Sequence, residues 1–169
     1  MGQRQWCHRH PHDRQSQLEP LKLARKEGAG RHFSVSRGSK WLGDLDWKSR
    51  WPKWMGADAT ITVASGYYDL RTRRGRAVLS FGGEEVARGR AGGALSGLFD
   101  SLRLETVVSG WAVVGDPDQH QLDAVRKGDS FEIEVATDVK ATQLPLLSLF
   151  AHYLWLVGSD DINRWRPGS

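Results

Sequence analysis

Four arginines crowd one short stretch of the chain, Arg71-Thr72-Arg73-Arg74-Gly75-Arg76. A guanidinium is a planar fork of donors that meets a phosphate or carboxylate with two hydrogen bonds at once. The glycine after Arg74 marks a turn, so Arg71, Arg73, Arg74 and Arg76 surround one hairpin tip. Such a cluster would attract anionic lipid headgroups, phosphoinositides among them, or a nucleic-acid backbone. Strand alternation puts Arg71 and Arg73 on one face, while the turn decides where Arg74 and Arg76 point. Arg88 and Arg90 fall beside them if the following hairpin pairs in sequence. The plainer reading is a solvated turn balanced by Asp69, Glu84 and Glu85.

Other groups of reactive residue types carry less. Asp116-Pro117-Asp118-Gln119-His120 brings two carboxylates and an imidazole into one hairpin, but without the glycine turn and distal glutamate of a calcium loop it reads as a solvated turn. Cys7-His8-Arg9-His10-Pro11-His12 offers zinc's preferred donors within six residues, with no second pair at loop-closing distance, so no metal site is assigned. His152 lies inside an apolar run, where a neutral imidazole bonded to a neighbouring group is expected. No serine has the G-x-S-x-G setting of a nucleophile elbow. The glycine-rich Gly89–Phe99 stretch lacks the G-x-x-x-x-G-K-[ST] of a phosphate loop and reads as a connection. A non-enzymatic protein with no cofactor and no metal is expected.

These residues need elements to position them. From Leu144 to Val157 the apolar residues leave no polar stripe at a 3.6-residue period, so a helix there must be buried. Those 14 residues would span about 21 Å, short of the ~30 Å of a bilayer's hydrocarbon core. A core helix is therefore expected, with Thr142 as N-cap, Pro145 in the first turn and Gly158 at the end. Before it, Phe131, Ile133 and Val135 alternate with glutamates as in a half-buried strand. Short turns separate seven further alternating runs from Ala59 onward, the pattern of an antiparallel meander. The spacing thus predicts eight strands between Ala59 and Ala136.

Upstream the pattern changes. Residues 1–58 hold 12 Lys/Arg against 6 Asp/Glu, a net of +6, whereas residues 59–169 hold 12 against 14, a net of −2. The basic balance thus belongs to the N-terminal third, which weakens any inference of nucleic-acid binding from the overall charge. The expected organisation is a disordered basic tail over 1–40, a tryptophan-rich linker or docking segment over 41–58, a β-barrel-like domain with its core helix over 59–158, and a tail over 159–169. Trp41, Trp47, Trp51 and Trp54 alternate with Lys40, Lys48, Arg50 and Lys53, which suits docking onto the domain, a protein partner or a membrane interface. The change in composition near Met55 also allows a reading in which translation begins there. One cysteine, Cys7, permits no internal disulfide, and the first 30 residues hold no signal-type apolar core. A cytosolic protein, peripheral at the membrane, is the expectation.

The F-x-I-x(4)-D pattern at Phe131, Ile133 and Asp138, followed by the apolar Leu144–Val157 helix, resembles the end of the tubby C-terminal-like superfamily, particularly its phospholipid-scramblase and LURP-one-related branches. That resemblance implies a closed twelve-stranded antiparallel barrel threaded by the helix, four strands more than the spacing predicts. It also implies binding of phosphoinositide headgroups through basic surface residues. The fold expected is thus mainly β, an antiparallel meander barrel or strongly curved sheet around one apolar C-terminal helix. The function expected is non-enzymatic binding at anionic membrane surfaces. Alternatives are protein–protein interaction through the tryptophan-rich segment and a scramblase-like insertion of the helix into lipid. Nucleic acid is not an expected partner.

Overall fold

The computed structural model describes residues 19–26, 31–47, 59–73, 76–136 and 139–158. The Cys7–His12 cluster, Trp51, Trp54, Met55, Arg74 and Asp138 lie outside the described residues.

Twelve strands and one helix follow one another along the chain: β1 (Leu21–Arg25), β2 (His32–Arg37), β3 (Lys40–Trp47), β4 (Ala59–Val63), β5 (Gly66–Arg73), β6 (Arg76–Phe81), β7 (Glu84–Gly89), β8 (Ser96–Gly97), β9 (Arg103–Val107), β10 (Gly110–Gly115), β11 (Gln119–Lys127), β12 (Ser130–Val135) and α1 (Leu144–Gly158). All belong to one sheet in the order β8-β7-β6-β5-β4-β3-β2-β1-β12-β11-β10-β9. Every described pairing is antiparallel. The chain is a meander except at one place, where β1 pairs with β12, Leu21 opposite Ile133 and Leu23 opposite Phe131. That pairing brings the two ends of the meander together around α1.

The sheet curls around the helix without closing as a barrel. Its two edges, β8 and β9, do not form a ladder. They meet through a single bridge between Ala94 and Arg103 and through two flanking bonds, Leu95 N–H to Leu102 O at 2.8 Å and Leu104 N–H to Gly93 O at 2.9 Å. The strongly curved sheet is what forms, in place of the closed barrel implied by the resemblance.

Three strands lie where the sequence predicts a disordered tail and a linker. Leu21 and Leu23 of β1, Phe33 and Val35 of β2, and Leu45 and Trp47 of β3 are all buried, each pair two residues apart as strand alternation requires. β1 sits between β2 and β12, so it is interior to the sheet. A chain begun at Met55 would lack three adjoining strands of this sheet. The fourth unforeseen strand, β8, is two residues long and lies in the glycine-rich stretch read as a connection. The other eight fall where the spacing placed them, within one or two residues at each end.

α1 is buried on every side from Leu144 to Leu156, Pro145 alone being half-buried. The helix begins at Leu144 and Leu147 N–H bonds Gln143 O at 2.9 Å, so Gln143 takes the N-cap position, one residue later than expected, and Pro145 falls in the first turn where its missing N–H is harmless. Backbone approach is close: a Cβ on Gly43 of β3 would lie 3.0 Å from Leu149 Cδ1 and 2.7 Å from Val63 Cγ1. Ser148, inside the core, bonds back to Leu144 O at 2.8 Å. Rings pack between helix and sheet, Phe99 on Phe150 at 5.8 Å and Trp47 on Tyr153 at 4.7 Å.

The burial of β1 sets an expected outcome. Leu23→Ala should cost ~2–5 kcal/mol in urea unfolding, while Lys22→Ala on the outer face should stay within ~0.5 kcal/mol of the parent. Equal small effects would show that β1 contributes nothing to the core. Phe150→Asp should abolish cooperative unfolding altogether, since its carboxylate would be desolvated and unpaired.

Candidate functional site

Arg71, Arg73 and Arg76 are all exposed on the outer face. Pairing of β5 with β6 sets Arg73 opposite Arg76 and Arg71 opposite Val78. Pairing of β6 with β7 then sets Val78 opposite Arg88, so Arg71 and Arg88 flank one valine in a row across three strands. Among the described residues no carboxylate forms an ion pair with Arg71, Arg73 or Arg76. Arg88 does have one: Glu85 meets it at 2.6 and 3.2 Å, and this contact raises its already high pKa. The balancing of the turn by Glu84 and Asp69 does not occur among these residues. Directly opposed like charges destabilise an antiparallel pair, so the Arg73–Arg76 pairing exists at some cost.

The topology places this turn among others of like sign. In an unbroken antiparallel order, the connections β1–β2, β5–β6, β7–β8, β9–β10 and β11–β12 all lie at one end of the sheet. Arg25 and Lys26, Arg73 and Arg76, Arg90, and Arg126 and Lys127 stand there together with Asp46 and Asp129, and Lys26 pairs with Asp44 at 3.8 Å. The opposite end holds Glu84 and Glu85, Asp100, Asp116 and Asp118, mixed with Arg37, Lys40 and Arg103. α1 ends at the basic end, where Gly158 approaches Ala91 of the β7–β8 connection. The helix terminus with partial negative charge is therefore on the side where cations gather.

A cavity of about 500 Å³ opens at the same end, between β1, β2, the β11–β12 turn and the last turns of α1. Arg25, Lys26, Arg126 and Asp129 form its exposed rim, and Leu23, Phe33, Phe131, His152, Trp155 and Leu156 its buried floor. The Arg126 guanidinium lies over the Phe131 ring at 5.6 Å. His152 is fully enclosed by aromatic rings, Phe131 at 4.8 Å, Phe33 at 5.1 Å and Trp155 at 5.6 Å. Trp111 Nε1–H donates to His152 Nδ1 at 3.1 Å, the neutral imidazole bonded to a side chain that the sequence predicts. Its Nε2 has no partner. Burial, with a smaller contribution from the Arg126 charge, lowers the His152 pKa to about 3.

The other sequence-derived candidates make surface contacts. His120 Nδ1 lies 2.7 Å from Asp123 Oδ1, a contact that raises the imidazole pKa, and Asp118 pairs with Arg103; all four are on the surface or near it. No cluster of three or more His, Cys, Asp or Glu side chains able to hold a metal occurs among the described residues. Trp41, expected to dock on the core, is 47% exposed and donates its indole N–H to Asp44 at 2.8 Å; Trp47 does dock. Burial acts to raise the Asp44 pKa, but bonds from Ser34, Trp41 and His32 and the charge of Lys26 outweigh it and hold the carboxyl below its usual range. The cavity is what the sequence reading missed. Its walls come from four separate stretches of chain, and only the pairing of β1 with β12 assembles them.

No protein-family model matches the chain, and no curated protein matches it. A solved X-ray structure of a protein from Arabidopsis thaliana is similar to it, with a TM-score of 0.57 at 18% identity over 87% of this chain and 93% of that one. At that identity the likeness is one of fold.

His152 sets a sign for the pH response. Between pH ~6.5 and ~3 the unfolded chain binds a proton at this position that the folded chain does not, so the contribution is complete above pH ~6.5 and falls with pH by up to ~1.4 kcal/mol per unit. Urea unfolding of the parent and of His152→Gln should therefore give a stability difference that grows from pH 4 to 6.5 in the parent's favour and is flat above. Parallel curves would show that His152 is not held neutral.

Proposed function

We propose that this chain is a non-enzymatic module that docks peripherally on anionic membrane surfaces, with Arg71, Arg73, Arg74 and Arg76 meeting lipid phosphates. The observation that carries the reading is the set of three described arginines, side by side on an outer face, with no ion pair to a described carboxylate. An anionic surface would relieve the repulsion between Arg73 and Arg76 and satisfy forks that no described carboxylate meets. The neighbouring cations of the same sheet end add a longer-range attraction. Phosphoinositide headgroups, with several phosphates each, suit such a cluster best. Kinship with the phospholipid-scramblase or LURP-one-related branch belongs to the same proposal and rests on Phe131, Ile133 and the helix that follows.

The mode is docking, not insertion. No helix among the described residues is long and apolar enough to cross a membrane, and α1 has its apolar surface covered by the sheet. A cytosolic location with peripheral attachment accords with this proposal. A second reading, a protein partner on the tryptophan-rich segment, draws on the exposed Trp41. It has less to work with, because Trp47 is buried in the core and the Trp41 indole N–H already bonds Asp44.

Vesicle sedimentation tests the reading. Replacing Arg71, Arg73, Arg74 and Arg76 together with glutamine should weaken binding to anionic vesicles by a hundredfold or more, at about 1 kcal/mol per basic residue, while the melting temperature changes little. Binding by the parent should vanish on neutral vesicles and weaken with salt. Unchanged binding by the quadruple variant, or equal binding to neutral vesicles, would overturn the assignment.

A further inference from the structure

The arginine cluster shares its end of the sheet with a hairpin tip of the opposite character. β9 and β10 are joined by Val108-Ser109, with Val107 paired to Gly110. Turns favour glycine, proline, asparagine, aspartate and serine, and the neighbouring β11–β12 turn, Gly128-Asp129, follows that rule. Val108 breaks it: a β-branched apolar side chain stands at the apex, 94% exposed, and Val107 beside it is 63% exposed. Gly110 also pairs with Val125, itself 48% exposed, so Val107 and Val125 flank a position that has no side chain. Single apolar residues are normal on a surface. Three valines gathered at one tip form a patch.

The tip is held in place by the core. Trp155 Nε1–H donates to Val107 O at 3.0 Å, which ties the tip to the last turns of α1, and Arg126 N–H donates to Ser109 O at 2.9 Å. A Cβ on Gly110 would fall on Ala124 O, so the strands are drawn close behind the apex. An apolar apex fixed in this way gives up little freedom when a second phase covers it. Exposed cations stand on both sides: Arg90 in the β7–β8 connection, which meets β9 where Leu104 N–H bonds Gly93 O, and Arg126 and Lys127 at the end of β11. Asp129 and Glu105 are the acids beside them. An apolar protein groove would use the valines and leave the cations idle, whereas a bilayer with anionic heads above apolar tails matches both. We infer that Val107, Val108 and Val125 form a wedge that seats in the headgroup–acyl boundary of an anionic bilayer. The inference rests on the docking proposed above, though not on which arginines carry it. Interfacial elements bury apolar side chains only ~5–10 Å deep, so the wedge needs no segment to cross and α1 keeps its cover.

Environment-sensitive fluorescence of the full chain tests the inference. With Cys7→Ser removing the native thiol, Val108→Cys carries a nitrobenzoxadiazole label at the apex and Ser39→Cys carries it at the opposite end of the sheet. On phosphatidylcholine vesicles containing phosphatidylserine, the label at position 108 should brighten, shift to the blue and be quenched by nitroxides on the acyl chains. The label at position 39 should do none of these. Without label, Val107→Ser combined with Val108→Ser should bind the same vesicles weaker by roughly tenfold or more, with an unchanged melting temperature. The glutamine variant of Arg71, Arg73, Arg74 and Arg76 should give the parent's signal at position 108 once enough lipid is added to bind it. If the parent sediments with the vesicles while its apex label stays in water, or the serine variant binds as the parent does, the wedge is overturned and the arginine docking stands. If the serine variant loses binding while the glutamine variant keeps it, the arginine assignment fails and the wedge stands. An apex label that brightens in buffer alone as protein concentration rises would put a second copy of the chain on the patch and overturn the inference.

Discussion

A helix with no polar face is the constraint on which the rest of this protein depends. Leu146, Leu147, Leu149, Phe150, Tyr153, Leu154, Trp155 and Leu156 are each at most 3% exposed, and they point in every direction around the axis. A sheet laid along one side would leave the rest of that perimeter bare. The chain instead wraps twelve strands around it, and the local adjustments follow from the wrapping. Gly43 lets a strand backbone approach Leu149, and bulges in the β2–β3, β6–β7 and β10–β11 pairings let the sheet bend. Pairing of β1 with β12 spares the meander two long free edges.

That constraint also explains what could be read from the sequence. The helix and the eight strands from Ala59 onward announce themselves through sustained alternation and short turns. β1, β2 and β3 do not, because each shows only two or three apolar residues at a period of two within a stretch dominated by Lys, Arg, Ser and His. Their composition resembles that of a tail, and local composition outweighed the need of the helix for a complete cover. Eight short strands could not surround a helix of this girth. The missing perimeter was therefore legible as a deficit, and Leu21/Leu23, Phe33/Val35 and Leu45/Trp47 were the residues able to fill it. β8, at two residues, carries no period at all.

The arginine cluster was legible for the opposite reason. A hairpin is local, so Arg71, Arg73 and Arg76 can be placed from turn and alternation alone, and even the approach of Arg88 follows from pairing in sequence. Arg126 and Arg25 are about a hundred residues apart and share a cavity rim only because β1 closes on β12. A site of that kind depends on the one non-sequential pairing in the sheet, and no motif records it.

Charge and connectivity together give the molecule a direction. An antiparallel order with an even number of strands returns alternate turns to the same end, and this sequence puts more of its arginine and lysine in one set of turns and a larger share of its acids in the other. The core cannot care about this distribution, since these side chains lie outside it and each is worth little to stability. A purely structural sheet could carry its charges in any mixture. The same end receives the C-terminus of α1, the open mouth of the cavity and the exposed Val107 and Val108 of the β9–β10 turn, the latter 94% accessible. Cations beside an accessible apolar tip are the arrangement on which the proposed docking to an anionic lipid surface draws.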